Sequence, residues 1–158
     1  MKQAQFYKKL KNKIVMCELC PHYCTLKTEE FGKCKVRKNI NGKLYSLSYE
    51  QPVSIQIDPI EKKPLYHFLP GTYSFSIGMA GCNLRCLHCQ NWQLSQRSAE
   101  EQRVKRVTSE EIVKMALKSG CPSISYTYSE PFVSWEYVYE TAKLARDNRL
   151  KNIIVSNG

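Results

Sequence analysis

The sequence predicts an α/β protein in which a small cysteine-rich module with a β-hairpin precedes alternating strands and helices. Strand-like runs at 73–77, 123–127 and 152–155 are separated by two segments with helical apolar spacing. Four of the eight cysteines crowd into residues 17–34. Strand, helix, strand, helix, strand predicts a parallel sheet with right-handed crossovers.

Three segments follow from this pattern. We expect a metal-binding module with a hairpin, a connector, and three strand–helix units, which occupy residues 1–57, 58–72 and 73–158. The chain stops at Ser156-Asn157-Gly158, directly after the third strand. A parallel domain normally covers such a strand with a helix, so we expect the chain to be the N-terminal half of a longer protein.

The module contains two short cysteine-bearing turns about ten residues apart, which is the spacing of a small tetrahedral metal site. Its four candidate ligands are Cys17, Cys20, Cys24 and Cys34. Zinc and a second iron–sulfur cluster are both compatible with four thiolates, and unliganded thiols are the third alternative. Gly32 is expected to let the backbone turn near the metal.

A hairpin is predicted immediately after these cysteines. Asn41-Gly42 lies between the runs 36–40 and 43–47 and is a strong two-residue turn signal. Because so short a segment buries little apolar surface, we expect the module to depend on its metal for stability.

Two helices are predicted in the second part of the chain. Thr108 and Glu111 form a capping box before the first helix, and Gly120 suits the left-handed position after its end. The second helix is expected from about Phe132 to Asp147. Its apolar stripe consists of Trp135, Val138, Ala142 and Ala145.

Between the first strand and the first helix lies a loop with the spacing Cys-x3-Cys-x2-Cys, formed by Cys82, Cys86 and Cys89. A structural zinc takes four ligands, and an electron-transfer [4Fe–4S] cluster usually takes four thiolates. Three thiolates leave one iron with an open position, where a small molecule can be chelated and reduced. The alternative is a zinc knuckle whose fourth ligand lies elsewhere.

This spacing resembles the signature of the radical S-adenosylmethionine (SAM) superfamily. The segment DPIEKKPLYHFLPG at 58–71, GCN at 81–83, CQN at 89–91 and YTYSEP at 126–131 narrow the resemblance. With the cysteine module in front, the chain is similar to the radical SAM member of the AmmeMemoRadiSam system, which is related to pyruvate formate-lyase activating enzymes. The resemblance implies the N-terminal half of a partial (β/α)6 barrel.

The resemblance also implies a reaction. Cys82, Cys86 and Cys89 would hold a [4Fe–4S] cluster whose fourth iron binds SAM, and one electron would release methionine and a 5′-deoxyadenosyl radical that abstracts hydrogen from a substrate. An unknown protein or small molecule is the expected substrate, with an electron donor such as flavodoxin or ferredoxin. The alternatives are a glycyl-radical-enzyme activase, an RNA-modifying enzyme and a catalytically incomplete metal-binding fragment.

Three further residues are cofactor-binding candidates by this resemblance. His88 stands where relatives carry an aromatic side chain near the adenine, and Glu130 where many have Gly-Gly-Glu, which contacts the SAM ammonium. Asn157 matches the Thr-Asn-Gly of activating enzymes. The alternatives are a solvent-facing histidine, a first-turn carboxylate favoured by the helix dipole, and a turn asparagine. No residue is assigned a catalytic role.

The remaining polar and thiol residues are less specific. A polar cluster before the first strand either lines the substrate side or forms a salt-bridged connector; it comprises Asp58, Glu61, Lys62, Lys63 and His67. Cys121 is expected to be a core or loop thiol.

Composition limits the partners and the compartment. The chain has 24 Lys and Arg against 14 Asp and Glu, a formal charge of +10. The excess hints at an acidic partner, but seven ligand thiolates would offset part of it, and there is no aromatic-plus-basic RNA motif, so we expect no nucleic-acid partner. Neither a leader nor a membrane span is recognisable, and cysteines at metal-site spacing indicate a reducing cytoplasm.

Overall fold

The computed structural model describes residues 1–102 and 104–157. It forms a mixed α/β structure with ten strands, three α-helices and three 3₁₀ turns in the described residues. Gly158, the last residue of the predicted C-terminal motif, lies outside them. No helix of the described part is both long enough and apolar enough to cross a membrane.

The N-terminal module consists of two small antiparallel sheets. One sheet has the order β2-β3-β4 and the other β1-β6-β5. Their strands are β1 (Lys2–Gln3), β2 (Tyr7–Lys9), β3 (Val15–Cys17), β4 (Thr25–Leu26), β5 (Arg37–Ile40) and β6 (Lys43–Ser46). A 3₁₀ turn, Lys11–Lys13, connects β2 to β3.

The predicted hairpin joins β5 to β6. Ile40 pairs with Lys43, so Asn41-Gly42 is a two-residue turn. Both turn residues have positive φ, 51° and 84°, as a type I′ turn requires. The prediction from Asn-Gly is confirmed.

The main sheet has the order β10-β9-β8-β7. Its strands are β7 (Pro52–Pro59), β8 (Tyr73–Met79), β9 (Ser123–Tyr126) and β10 (Lys151–Ile154). Strands β8, β9 and β10 are parallel, as the alternating pattern predicts. Strand β7 was not predicted; it pairs antiparallel with β8 and runs across position 57, where the sequence suggested a boundary.

Two long helices cover one face of this sheet. Helix α2 (Ser109–Lys118) begins with the predicted capping box, and Gly120 has φ 71° just beyond its end. Helix α3 (Trp135–Asp147) follows a 3₁₀ turn, Pro131–Ser134, so it begins three residues later than the predicted start at about Phe132. A short helix α1 (Trp92–Ser95) and a 3₁₀ turn after β7 (Ile60–Lys62) complete the fold.

The main core lies between the sheet and these helices. Apolar side chains alternate along β8 and β9 and meet the inward faces of α2 and α3. Its fully buried members include Phe75, Ile77, Ile112, Ala116, Ile124, Tyr126, Tyr137, Val138 and Ala145. In the predicted stripe of α3, Val138 and Ala145 are buried, whereas Trp135 and Ala142 are half-buried.

A buried ion pair joins the module to the main sheet. Arg37 of β5 donates from Nη2 to both carboxylate oxygens of Glu136 on α3, at 2.8 and 2.7 Å. Their side chains are 2% and 0% exposed. Arg37 Nε also donates to the carbonyl of Val133, and Glu136 accepts the backbone N–H of Gln5. Each charge thus has its hydrogen-bond partners, so removing either residue would leave the other charge buried and unpaired.

We predict that Glu136→Ala lowers the free energy of unfolding by about 3–5 kcal/mol, because it leaves the Arg37 charge buried without a partner. Asp147→Ala, an exposed change at the end of the same helix, is the control and should have an effect within about 0.5 kcal/mol. Chemical denaturation of both variants measures this. Similar effects of the two substitutions would contradict the structural role of the pair.

Candidate functional site

The cysteine loop, Glu130 and Asn157 meet at one edge of the main sheet. Because β8, β9 and β10 are parallel, their carboxyl ends lie together. The loop 81–89 leaves the end of β8, Glu130 lies four residues after β9, and Asn157 lies three residues after β10. Three segments far apart in sequence therefore converge here.

The three loop thiols are accessible to a ligand. Cys82 and Cys89 are half-buried, Cys86 is exposed, and all three are free. The backbone N–H of Leu84 donates to Cys82 Sγ at 3.4 Å. Cys89 Sγ lies 3.3 Å from Ser95 Oγ on α1. These contacts orient two of the three sulfurs through neighbouring polar groups.

Glu130 and Asn157 are brought into direct contact. Glu130 is 4% exposed and accepts from the Asn157 backbone N–H at 3.0 Å, from the Asn157 side-chain amide, and from Ser156 Oγ at 3.0 Å. The Asn157 amide also reaches Asn83 Oδ1 at 3.3 Å. Since Asn83 follows Cys82, a continuous polar chain leads from Glu130 to the cysteine loop.

Glu130 also has a structural role at the start of the turn that precedes α3. Its side chain accepts the N–H of Phe132 at 3.2 Å and caps the 3₁₀ turn before α3. The same carboxylate therefore caps this turn and accepts the hydrogen bonds from Ser156 and Asn157.

His88 lies on the exposed side of the cysteine loop. Its neighbour Leu87 is fully exposed, at 104%. Among the described residues, no hydrogen bond joins His88 to Glu130 or Asn157. The structure thus assembles two of the three predicted cofactor-binding residues and leaves His88 facing solvent.

The sheet face opposite the helices is polar. Ser74, Ser76 and Gly78 alternate with the core residues of β8, and Ser74 Oγ lies 2.6 Å from Ser125 Oγ of β9. The ring of Tyr128 covers this face: an added Cβ at Gly78 would lie 2.7 Å from Tyr128 Cδ2. Glycine at this position therefore makes room for the ring.

A buried charge network occupies the same face. Asp58 accepts from Lys62 at 2.7 Å, from Lys63 at 2.6 Å and from the Tyr128 hydroxyl. Lys63 Nζ also lies 4.8 Å above the Tyr128 ring. Asp58, Lys62 and Lys63 of the predicted polar cluster thus form a salt-bridged connector on the polar face. Glu61 instead accepts a hydrogen bond from the backbone N–H of Gly71.

Hydrogen bonding controls the ionisation of Asp58. Burial alone would raise the pKa of this carboxyl, but the bonds from Lys62, Lys63, Tyr128 and Ser76 outweigh burial and hold the pKa well below its usual range. Burial and the Asp58 charge raise the pKa of the Tyr128 hydroxyl. Asp58 is therefore ionised and Tyr128 neutral at physiological pH.

The four module cysteines gather around the small β2-β3-β4 sheet. The backbone N–H of Cys17 donates to the Cys24 carbonyl at 2.9 Å. The backbone N–H of Tyr23 donates to the Cys20 carbonyl at 3.2 Å and closes a turn between them. An added Cβ at Gly32 would lie 3.8 Å from Cys24 Sγ and 3.7 Å from Cys34 Sγ. The left-handed residue of this second turn is Lys35, with φ 63°, rather than Gly32.

Burial dominates the ionisation of the two innermost thiols. It raises the pKa of the Cys34 thiol to about 11, against the hydrogen bonds that the backbone N–H groups of Val36 and Arg37 donate to it. Burial also raises the pKa of Cys17, opposed by the N–H of Leu19. Both thiols are thus protonated at neutral pH, although each has donors aimed at its sulfur.

The cysteine module lies directly against the cysteine loop. Gly81 has φ 81°, and a Cβ there would lie 2.4 Å from the carbonyl oxygen of Cys34 and 2.7 Å from Val36 Cγ1. His22 Nε2 lies 2.7 Å from the carbonyl oxygen of Asn83. Arg85 bridges the two parts by donating to Lys33 O at 2.6 Å and to Cys82 O at 2.9 Å.

In the described residues, no group of three or more His, Cys, Asp or Glu side chains is already arranged around a metal position. Metal binding at either cysteine group therefore requires thiol side chains to rotate toward one another. Cys121 is buried in the main core, as predicted, and belongs neither to the cysteine loop nor to the cysteine module.

Several residues of this region were not identified from the sequence. Asn83, Ser156 and Tyr128 are hydrogen-bonded to predicted residues. Asn83 and Tyr128 lie inside recognised motifs, and Ser156 directly precedes Asn157. Polar side chains at the carboxyl ends of strands could have indicated Tyr128 and Ser156. No local pattern could have indicated that His22 contacts Asn83, because the two residues are 61 positions apart.

We predict that Gly81→Ala destabilises the protein more than Gly71→Ala. Both glycines have positive φ, so alanine costs about 1–2 kcal/mol of backbone strain at either position. Only at Gly81 does the new methyl also collide with backbone; at Gly71 no atom lies within 4 Å. Equal losses of unfolding free energy would show that the module and loop are not in close contact.

We predict that Asp58 contributes stability that depends on pH. Its folded pKa is lowered, so the contribution is present above the unfolded pKa, about 3.9, and is lost as pH falls from there toward the folded pKa. The difference in unfolding free energy between the natural protein and Asp58→Asn should therefore shrink below about pH 4. Glu110→Gln, an exposed change on α2, should leave this acid dependence unaltered. A difference that stays constant with pH would contradict the network.

Comparison with known proteins identifies the family of this chain. The family model for the Radical SAM superfamily matches residues 76–158, which include the cysteine loop and all three parallel strand ends. An uncharacterized protein of Methanocaldococcus jannaschii is 49% identical over 158 residues, covering 100% of this chain and 47% of that protein. The chain thus spans about half the length of the curated relative it matches. No solved structure matches it. Because the matched region is more than half of the chain, the protein belongs to the radical SAM superfamily.

Proposed function

We propose that the protein cleaves SAM reductively at a [4Fe–4S] cluster held by Cys82, Cys86 and Cys89, and uses the product to abstract hydrogen from a substrate. One observation carries the proposal: a loop with three free thiols lies at the strand edge where Glu130 and Asn157 meet. The electron donor is a flavodoxin or ferredoxin, and the substrate is a protein or a small molecule.

The residues of the loop fit such a cluster by their chemistry. Iron–sulfur clusters take thiolate ligands, and three thiols within eight residues leave one iron open. Cys86 is exposed, so assembly from solvent is not blocked. Leu84 N–H already donates to Cys82 Sγ, and N–H bonds to ligand sulfurs tune such clusters. When bound, the cluster supplies the electron that splits SAM into methionine and a 5′-deoxyadenosyl radical.

Asn157 is the residue we propose to contact the amino acid part of SAM. Its amide reaches Asn83 beside Cys82, so it lies next to the loop where SAM would bind. Glu130 accepts two hydrogen bonds from Asn157, one from its backbone and one from its side chain. In this arrangement Glu130 acts mainly as a positioning residue that fixes the asparagine. His88, exposed on the same loop, remains our proposal for the side chain that faces the adenine.

The polar face of the sheet supports a barrel interior. We propose that β8–α2, β9–α3 and β10 are the first units of a partial (β/α)6 barrel, in which the helix-free face points inward. Serines, Asp58 and Tyr128 lie on that face, whereas apolar side chains face the helices. An interior of this kind binds a polar cofactor and keeps water away from a reactive radical.

Within the superfamily, we propose a relationship to the AmmeMemoRadiSam radical SAM enzymes and to the pyruvate formate-lyase activating enzymes. The cysteine module, the segment 58–71 and the YTYSEP string support this identification. The M. jannaschii relative is about twice the length of this chain. A form of the chain that binds metal but does not turn over SAM is therefore the competing interpretation.

Product formation tests the proposal. The chain, reconstituted anaerobically with iron and sulfide and reduced with dithionite, should convert SAM to 5′-deoxyadenosine and methionine. Cys86→Ala should reduce the yield at least about 100-fold by removing an iron ligand. Cys121→Ala, which removes a buried thiol outside the loop, is the matched control and should retain activity. A loaded cluster without detectable 5′-deoxyadenosine would favour the incomplete fragment.

A further inference from the structure

We propose that Cys17, Cys20, Cys24 and Cys34 bind one structural zinc ion, and that this ion holds the Cys82–Cys89 loop in place. The site goes beyond the proposed function and does not depend on it. It rests on the convergence of two cysteine-bearing turns, on donors aimed at the sulfurs, and on direct contacts between those turns and the loop.

The four thiols lie on two turns that approach each other. Cys17 and Cys24 face each other where β3 meets β4, joined by a backbone hydrogen bond of 2.9 Å. The second turn brings Cys34 to the same place, because Cys24 and Cys34 Sγ both lie within 3.8 Å of the Cβ position of Gly32. Cys20 lies in the turn between Cys17 and Cys24. A zinc ion bound by all four sulfurs at about 2.3 Å requires these thiols to rotate toward one another, since no group of three or more ligands in the described residues is already arranged around a metal.

Backbone hydrogen-bond donors lie next to two of the four sulfurs. Backbone N–H groups of Leu19 and Val36 donate to the thiols of Cys17 and Cys34, each from two residues further along the chain. Such donors stabilise a thiolate, and they are the supporting contacts that metal-bound sulfurs use. Four thiolates close a tetrahedron without an open position, which characterises structural zinc.

The apolar core of the module is small. Its buried apolar residues beside the cysteines are Ala4, Val15, Leu26, Val36, Leu44 and Leu47. So few side chains stabilise a short two-sheet module poorly, and metal binding is a common remedy at this size.

The contacts with the loop define what the zinc does. His22, between Cys20 and Cys24, bonds to Asn83 O, and this requires the proton to be on Nε2. Lys33 and Lys35 flank Cys34. The backbone carbonyl of Lys33 accepts a hydrogen bond from Arg85, and the Lys35 side chain donates one to Gln96 O at 3.0 Å. Zinc binding fixes the turns that carry these three residues, and so fixes the loop that they hold.

A variant without the loop cysteines isolates the new site. We expect Cys82→Ala/Cys86→Ala/Cys89→Ala to bind one zinc per chain without acid-labile sulfide, measured by metal and sulfide analysis. Substituting Co²⁺ should give the intense visible absorption of tetrahedral cobalt thiolate. Adding Cys20→Ser and Cys24→Ser should abolish both signals, while adding Cys121→Ala should preserve them. Iron with sulfide in the triple variant, or zinc that survives the two serine substitutions, would overturn the proposal.

Hydrogen exchange tests the second part in the natural sequence. Removing zinc should speed amide exchange across residues 82–96 about tenfold, because loop contacts are lost. His22→Ala should speed exchange in the loop while keeping the zinc. Tyr23→Ala is the control, because this neighbouring side chain is exposed and has no hydrogen bond to the loop among the described residues. Loop exchange that is insensitive to both zinc and His22 would refute the anchoring role, whatever the outcome of SAM cleavage.

Discussion

The contact between Gly81 and the backbone of Cys34 is the constraint on which the site depends. The end of β8 approaches the cysteine module so closely that a single Cβ would lie 2.4 Å from a carbonyl oxygen. Glycine is also required there by its φ of 81°. The hydrogen bonds of His22 and Arg85 extend this contact along the loop. A loop with an exposed central cysteine is thereby fixed by contacts with the cysteine module.

The remaining parts of the structure bring a second surface to the same loop. Parallel pairing places Glu130 and Asn157 at neighbouring strand ends, and the buried Arg37–Glu136 pair sets the module against α3, the helix that begins just after Glu130. The loop therefore contacts both the cysteine module and this hydrogen-bonded polar edge. Contacts with two parts of the fold hold the loop in place, which an iron–sulfur site needs if a cofactor is to bind in one orientation.

Local chemistry could be predicted from the sequence, whereas long-range pairing could not. The Asn41-Gly42 turn, the Thr108–Glu111 capping box and Gly120 each depend on residues a few positions apart. The loop cysteines were recognised for the same reason. By contrast, β7 pairs with a strand beyond a 13-residue connection, and Asp58 meets Tyr128 from 70 positions away. These contacts arise from how elements pack, so no spacing within one segment indicates them.

The central claim is that the three-thiol loop holds a cluster with an open iron beside Asn157. Electron paramagnetic resonance of the anaerobically reconstituted and reduced chain, recorded with and without SAM, tests this most directly. The account predicts a [4Fe–4S]⁺ signal whose shape changes when SAM is added, and a smaller change in Asn157→Ala. A cluster signal that SAM leaves unchanged, or no cluster signal with all three cysteines present, would contradict it.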